Sequence, residues 1–155
     1  RLSMQDTQAQ PPDSSFMIGK HEVRVDGDLV WVRMVGEFDL PDIQDFFKLT
    51  ERLFHEYGYA LVLCDSTDGG LVTPAARRYQ AERFKTQIFP SHTAIYGANP
   101  IARALVTLMT RAAELMTGKK FPSTFHKNEA EARQTLLQMR KVLQSARPEN
   151  TGRPQ

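Results

Sequence analysis

The sequence predicts an α/β protein in which helices cover a mixed five-stranded sheet. Residues 60–64 form an unbroken apolar run, which is typical of a strand covered on both faces in a parallel sheet. Asp26-Gly27 joins two extended patterns and indicates a hairpin. Amphipathic segments then alternate with short apolar ones, which favours helices that return the chain to parallel strands by right-handed crossovers. The predicted order is β-β-α-β-α-β-α-β-α.

Length and composition favour one domain. The chain has 155 residues, of which 41% are hydrophobic and 25% charged, as in ordinary globular proteins with a sizeable core. A net charge of +2 is too small to indicate a nucleic-acid partner, and no apolar stretch reaches the roughly 18 residues that span a bilayer. We expect a cytoplasmic protein with a domain at 16–146, a disordered leader at 1–15 and a disordered tail at 147–155.

Two antiparallel strands and a helix are expected first. The strands cover residues 16–25 and 28–38, and Asp39 caps the helix that follows. Gly58 ends that helix in the left-handed conformation. Residues at three- and four-residue spacing form a stripe along this helix that is wide enough to cover a sheet. They are Ile43, Phe46, Phe47, Thr50, Leu53, Phe54 and Tyr57.

The central strand is predicted to lead into a polar, glycine-containing loop at 65–73. Thr73-Pro74 then opens a second helix that extends to about residue 89, where Pro90 stops it. The side chains expected to point inward from this helix are Tyr79, Ala81, Phe84 and Ile88.

A short fourth strand at 92–97 precedes the most apolar helix, at 101–117. Its expected core face is Ile101, Leu105, Leu108, Met109, Ala112 and Met116. Further apolar residues extend beyond this face, so the helix is either covered on two sides or carries a contact surface: Ala102, Ala104, Val106 and Ala113. A fifth strand at 121–126 and a last helix after Asn128 complete the domain.

Three segments resemble a known family. They are Gly-Glu-Phe-Asp-Leu at 36–40, Ala-Leu-Val-Leu-Cys-Asp at 60–65 and Thr-Ala-Ile-Tyr-Gly at 93–97. With this order of elements, the chain resembles the bacterial STAS/SEC14-like, or SpoIIAA-like, domains over most of its length. The resemblance implies a small α/β domain related in shape to anti-sigma-factor antagonists and to lipid-carrying SEC14 domains.

The resemblance also directs attention to Thr73. Anti-sigma-factor antagonists carry Asp-Ser-Ser-Gly at the start of the second helix, where a serine is phosphorylated, whereas the matching place here reads Val-Thr-Pro-Ala at 72–75. Thr73 therefore stands at the equivalent helix start among different neighbours. It is either a phospho-acceptor, whose phosphate the helix N-terminus and Arg77 would stabilise, or an ordinary capping threonine.

Other candidate contacts for a partner or an anion surround the predicted loop, where backbone N–H groups and the helix dipole would converge. They are Asp65, Ser66, Gly69, Gly70, Arg77, Arg78 and Arg103. No phosphate-loop or dinucleotide signature is present, which argues against a nucleotide. The alternative is that these arginines are simply solvated surface charges.

No catalytic or metal site is expected. The four histidines are far apart in sequence and form no ligand spacing, and no nucleophile lies at a diagnostic spacing from Asp65 or Asp68. Cys64 lies in the predicted central strand and is expected to be a buried, unreactive thiol. We therefore predict a non-enzymatic protein without a cofactor.

Two functions remain open. The first is a regulatory or protein-interaction module that binds another protein, or a second copy of itself, through the 65–73 loop and the helix after it, with the 101–117 helix as an additional candidate contact. The alternative is a carrier of a small lipophilic or anionic ligand. The first predicts an exposed apolar patch and the second a pocket of roughly a few hundred Å³. The predicted ligand or dimer surface consists of Tyr79, Val106, Met109 and Ala113.

Overall fold

The computed structural model describes residues 15–86, 89–118, 120 and 122–146. Residues 1–14 of the predicted leader, the predicted tail, Ile88 and Phe121 lie outside these ranges. Six strands and four helices follow one another in the described parts of the chain: β1 (Phe16–Ile18), β2 (His21–Asp26), β3 (Leu29–Phe38), α1 (Leu40–Tyr57), β4 (Ala60–Val72), α2 (Pro74–Thr86), β5 (Ser91–Tyr96), α3 (Pro100–Thr117), β6 (Ser123–His126) and α4 (Glu129–Ala146).

The strands form one mixed sheet in the order β1-β2-β3-β4-β5-β6. The first three are antiparallel neighbours, and β3 to β6 are parallel. The predicted mixed α/β fold is confirmed, but the first predicted strand is in fact two. Gly19 has a φ of 60°, a left-handed conformation that lets the chain reverse, so that β1 pairs back onto β2.

The centre of the sheet is the apolar run at 60–64. Val62 and Cys64 contact a cluster on one face that includes Val30 and Leu53. Leu61 and Leu63 point to the other face, where α4 covers them. Both leucines are fully buried, and burying each stabilises the fold by roughly 1.5–3 kcal/mol. The prediction that this strand is covered on both faces is confirmed.

The strand is longer than predicted. Residues 65–72 are not a loop, because β4 continues alongside β3 until Val72 lies opposite Phe38. At each of two register shifts, β4 contributes three residues to two from β3, as in a β-bulge. Backbone pairing with the ten-residue β3 holds this polar segment extended. Gly70 permits the close approach, since a Cβ there would lie 3.0 Å from the carbonyl carbon of Gly36.

Helices α1 and α2 pack against each other next to one face of the sheet. Asp39 caps α1, and Gly58 ends it with a φ of 88°, as expected. Ala76 and Phe84 are the buried residues of α2, whereas Ala81 is exposed. The prediction that Ala81 points inward is wrong, because it lies about 140° around the helix from Ala76.

Helix α3 differs most from its prediction. None of its residues is buried, and Ile101, Leu108 and Met116 of the predicted core face are 75%, 67% and 70% exposed. The side on which Ala102 and Val106 lie is half-buried instead, and α3 contacts the rest of the described chain mainly through α2. Because apolar residues occur on two sides of this helix, the periodicity of the sequence does not indicate which side faces the domain. No helix within the described ranges is long and apolar enough to cross a membrane.

Candidate functional site at the start of helix α2

Two helix starts lie side by side at the carboxyl edge of β3 and β4. Phe38 and Val72 end these parallel strands opposite each other, and the next residue of each, Asp39 or Thr73, stands at the start of a helix. The backbone N–H of Thr73 donates to the carbonyl oxygen of Phe38 at 3.0 Å. Because parallel strands bring their ends to one edge, the two capping residues become neighbours.

A hydrogen bond joins the two capping side chains. Thr73 Oγ1 donates to Asp39 Oδ1 at 2.8 Å and accepts from the backbone N–H of Ala76 at 3.4 Å. The N–H of Leu40 and the Thr73 hydroxyl lower the pKa of Asp39, so its carboxylate is ionised at neutral pH. The Thr73 proton is thus directed at an anion, while the oxygen remains at the positive end of α2.

A buried histidine stands behind this pair. Asp42 Oδ2 accepts from the backbone N–H of Asp39 at 3.0 Å and lies 3.3 Å from His21 Nε2. His21 Nδ1 accepts from the N–H of Val35 at 3.0 Å, which places the proton of the neutral ring on Nε2. A chain of hydrogen bonds therefore runs from Thr73 through Asp39 and Asp42 to a fully buried ring.

The sequence pattern predicts Asp39 only as the cap of a helix. The spacing of Asp39 and Asp42 matches a capping box, which the structure contains in full. Nothing in the sequence connects His21 to Asp42, because 21 residues separate them. The sheet brings them together through the pairing of β2 with β3.

The surface around Thr73 combines an apolar side chain with two cations. Leu71 is 43% exposed although it is a large apolar residue, and Arg78 is exposed one turn along α2. Arg77 donates from Nη1 to the carbonyl oxygen of Val72 at 2.8 Å, which holds its guanidinium at the start of the helix. We call Leu71, Thr73, Arg77 and Arg78 the α2 entry surface.

Other predicted contacts lie earlier in β4, away from the start of α2. Asp65 pairs with Arg33, five residues before Phe38 on β3, which separates it from the α2 entry surface by roughly 17 Å. Its carboxylate accepts from the N–H of Thr67 at 2.9 Å, and Ser66 Oγ lies 3.5 Å from Cys64 Sγ. The structure thus does not bring Asp65 and Ser66 together with Thr73. Gly69 and Gly70 lie between them, within the strand.

The predicted ligand or dimer surface is also divided. The Tyr79 ring packs on Phe47 with centroids 5.7 Å apart and so belongs to the contact between α1 and α2. The other three residues of that surface are half-buried on α3: Val106, Met109 and Ala113. Arg103, which was predicted as a partner or anion contact, lies over the Phe125 ring of β6 at 5.2 Å.

Two surface cavities occur elsewhere. One of about 420 Å³ lies between β1 and α1, and one of about 320 Å³ lies between β2, β3 and α4. The predicted ligand surface, which is Tyr79, Val106, Met109 and Ala113, lines neither cavity. The lipophilic ligand therefore stays a prediction.

A histidine pair that the sequence did not reveal lies between β5 and β6. His92 Nε2 and His126 Nε2 are 3.0 Å and 2.8 Å from the same hydroxyl oxygen, that of Thr124. Burial, and then the charge of His126, lowers the pKa of His92. Among the described residues, no group of three or more His, Cys, Asp or Glu side chains is arranged to hold a metal ion.

Comparison with known proteins identifies the fold. No family model matches the sequence, and a search of curated proteins finds no match. Among solved structures, the chain is similar to the anti-sigma factor antagonist SpoIIAA in its unphosphorylated form, with a TM-score of 0.50 and 12% identity over 76% of this chain and 97% of that one. It is also similar to an uncharacterized protein with a SpoIIAA-like fold, of the DUF3478 family from Shewanella loihica, with a TM-score of 0.47 and 21% identity over 79% and 98% of the two chains.

Proposed function

The chain has the SpoIIAA-like fold, and from this premise we propose that it is a non-enzymatic regulatory module that binds a partner protein through the α2 entry surface. A protein of the same fold is an anti-sigma factor antagonist, so the architecture is compatible with regulation by binding. The observation that carries the proposal is the exposed Leu71, two residues before Thr73, with Arg77 and Arg78 near the start of the helix that follows.

The chemistry of this surface favours a partner with an acidic rim. Leu71 supplies an apolar contact, whose side chain would be removed from water when a partner covers it. Arg77 and Arg78 add positive charge next to the positive end of the α2 dipole. Opposite charges around an apolar contact increase the association rate and exclude wrong partners.

We propose that Thr73 is the point at which this binding is regulated, as a phospho-acceptor. Its hydroxyl donates to the ionised Asp39 at 2.8 Å, which orients the oxygen for attack on a phosphoryl donor. Once formed, the phosphate would be repelled by Asp39 and attracted to the N–H groups of α2 and to Arg77. The hydrogen bond between the two helix caps would break, and the surface would lose its net positive charge.

The remaining predicted contacts extend this surface in the proposal. Asp65, Ser66, Gly69 and Gly70 lie along the β4 segment that leads to Leu71, and a large partner would reach them. Arg103, which contacts β6, would be the outermost contact.

Co-purification from cells of the source organism tests the proposal. Leu71→Arg and Thr73→Glu alter the α2 entry surface. Leu137→Arg and Thr86→Glu are matched controls, because Leu137 on α4 is 51% exposed and Thr86 is exposed at the far end of α2. We expect the wild type and both controls to retain a partner. The amount of partner recovered should be lower by about tenfold or more with the two test variants. A partner retained equally by all five proteins would refute this binding surface.

A further inference from the structure

Helix α3 carries an apolar stripe on its exposed side. Three of the four large apolar residues that are exposed on this helix form the stripe: Ile101, Leu108 and Leu115 are 75%, 67% and 87% exposed. They lie seven residues apart, with the exposed Ala104 and Ala112 between them. A seven-residue repeat of this kind is the pattern of a seam between two helices. We call these five residues the α3 stripe.

The α3 stripe is symmetric about Leu108. Ala104 and Ala112 lie four residues before and after it, and Ile101 and Leu115 lie seven residues before and after it. If a second copy lay antiparallel across this point, large residues would face large ones and alanine would face alanine. In a two-fold contact each pair of facing residues occurs twice, so this symmetry lets the two copies present matching surfaces to each other.

The stripe is accessible to a second copy. The half-buried side of α3, which includes Ala102, Val106 and Ala113, lies about 120–160° around the helix from Leu108. The stripe therefore points away from the side on which α3 approaches its own domain. The Leu108 pair at the centre would hold the two helix axes about 8–10 Å apart, and the small side chains of Ala104 and Ala112 beside it would cause no clash. The antiparallel arrangement also places the start of each helix beside the end of the other, which the helix dipoles favour.

We propose that the α3 stripe pairs with the α3 stripe of a second copy, as an antiparallel two-helix contact centred on Leu108. This surface differs from the α2 entry surface, and the inference stands without the proposed function. From Ile101 to Leu115 the contact spans roughly 21 Å of helix. That is a small interface, so we expect a weak dimer with a dissociation constant on the order of 10 µM.

The mass in solution is the first test. Light scattering at concentrations from about 1 µM to about 300 µM should show the wild-type mass rising from one chain to two. Leu108→Arg should remain monomeric, whereas the matched control Leu137→Arg on α4 should dimerise like the wild type. Circular dichroism and thermal melting of each variant establish that it is folded. A wild type that stays monomeric, or a Leu108→Arg variant that still dimerises, overturns the proposal.

Disulfide trapping tests the orientation of the two copies. Under mild oxidation, Leu108→Cys should form a disulfide with itself. Ile101→Cys and Leu115→Cys should each fail alone and form a disulfide when mixed. Native Cys64 is buried and does not interfere. Self-linking by Ile101→Cys would indicate parallel helices and contradict the proposal. So would a monomer that binds vesicles of phosphatidylcholine and phosphatidylglycerol through α3, since a lipid surface would then cover the stripe.

Discussion

Arg140 in helix α4 donates two hydrogen bonds, each 2.7 Å long, to the carboxylate of Asp28 in the turn between β2 and β3. The hydroxyl of Tyr59 donates to the same carboxylate at 2.6 Å, and Gln144 donates to that hydroxyl at 3.0 Å. Asp28 is only 8% exposed. The cluster fixes the last helix to the amino-terminal ends of β3 and β4, away from the α2 entry surface.

Asp28→Asn should therefore destabilise the fold. The substitution leaves the partly buried Arg140 without its counter-charge, and losing one partner of such a pair costs about 2–3 kcal/mol when one member retains some water contact. Urea unfolding at neutral pH measures the change. Lys85→Ala removes an exposed ion pair with Glu82 and should change the free energy of unfolding by about 0.5 kcal/mol or less. Equal losses from the two variants would show that the Asp28 cluster contributes nothing special.

Gly70→Ala should weaken the pairing of β3 with the extended part of β4. The added Cβ would meet the Gly36 carbonyl carbon at 3.0 Å and the Glu37 nitrogen at 3.2 Å, both of them backbone atoms that cannot rotate away. We expect a loss of about 1–3 kcal/mol in the free energy of unfolding, with increased amide exchange in this part of β4. Thr67→Ala shortens an exposed side chain of the same segment without adding bulk and serves as the control. Wild-type stability of Gly70→Ala would contradict the close strand contact.

His92 should make stability fall at mildly acidic pH. Its pKa in the folded chain is lowered from 6.5, first by burial and then by His126. Below about pH 6.5, His92 binds a proton more readily in the unfolded chain than in the folded one. The free energy of unfolding therefore decreases as the pH is lowered. The lowered pKa of Asp39 affects stability in a different pH range. Its contribution to the free energy of unfolding is fully present above about pH 3.8 and is lost only as the pH falls further.

The measurement for His92 is the urea midpoint at about pH 7.5 and about pH 5.5. His92→Gln keeps a group that can hydrogen-bond Thr124 but does not titrate. We expect the drop between the two pH values to be smaller in this variant than in the wild type. An identical drop in both proteins would assign the pH dependence to other groups.

Cys64 should be inert in the folded protein. Burial raises the pKa of its thiol to about 11, so almost no thiolate exists at neutral pH and reagents cannot reach the sulfur. A coloured thiol reagent should react with it only in urea. Thr67→Cys, at an exposed position of the same strand, should react at once. Rapid reaction of native Cys64 would show that the central strand opens readily.

The sequence predicts most of the architecture because local patterns determine it. Leu61 and Leu63 belong to an apolar run of the kind that a strand covered on both faces shows. The extension of β4 could not be predicted from the sequence, because hydrogen bonds between the backbones of β3 and β4 hold it in place. The polar side chains of this segment do not indicate that pairing. Helix α3 has apolar residues on two sides, so choosing its inner side requires knowledge of where α2 lies.

The candidate site divides in the same way. Thr73 could be found from the capping pattern at a helix start and from the resemblance to a known fold. Its hydrogen bond to Asp39 follows from the parallel pairing of two strands whose ends are 34 residues apart in sequence. The contact between His21 and Asp42 likewise depends on strand pairing, because these residues meet only when β3 folds back on β2.

Photo-crosslinking in living cells tests the central claim most directly. A photoreactive amino acid at Arg78, on the α2 entry surface, is compared with the same amino acid at Arg133, whose side chain is 50% exposed on α4. We expect irradiation to join position 78 to a second protein, and to do so far less once Leu71→Arg is added. Position 133 should give no such product. Identical products from both positions, or a product at position 78 that survives Leu71→Arg, would contradict the account.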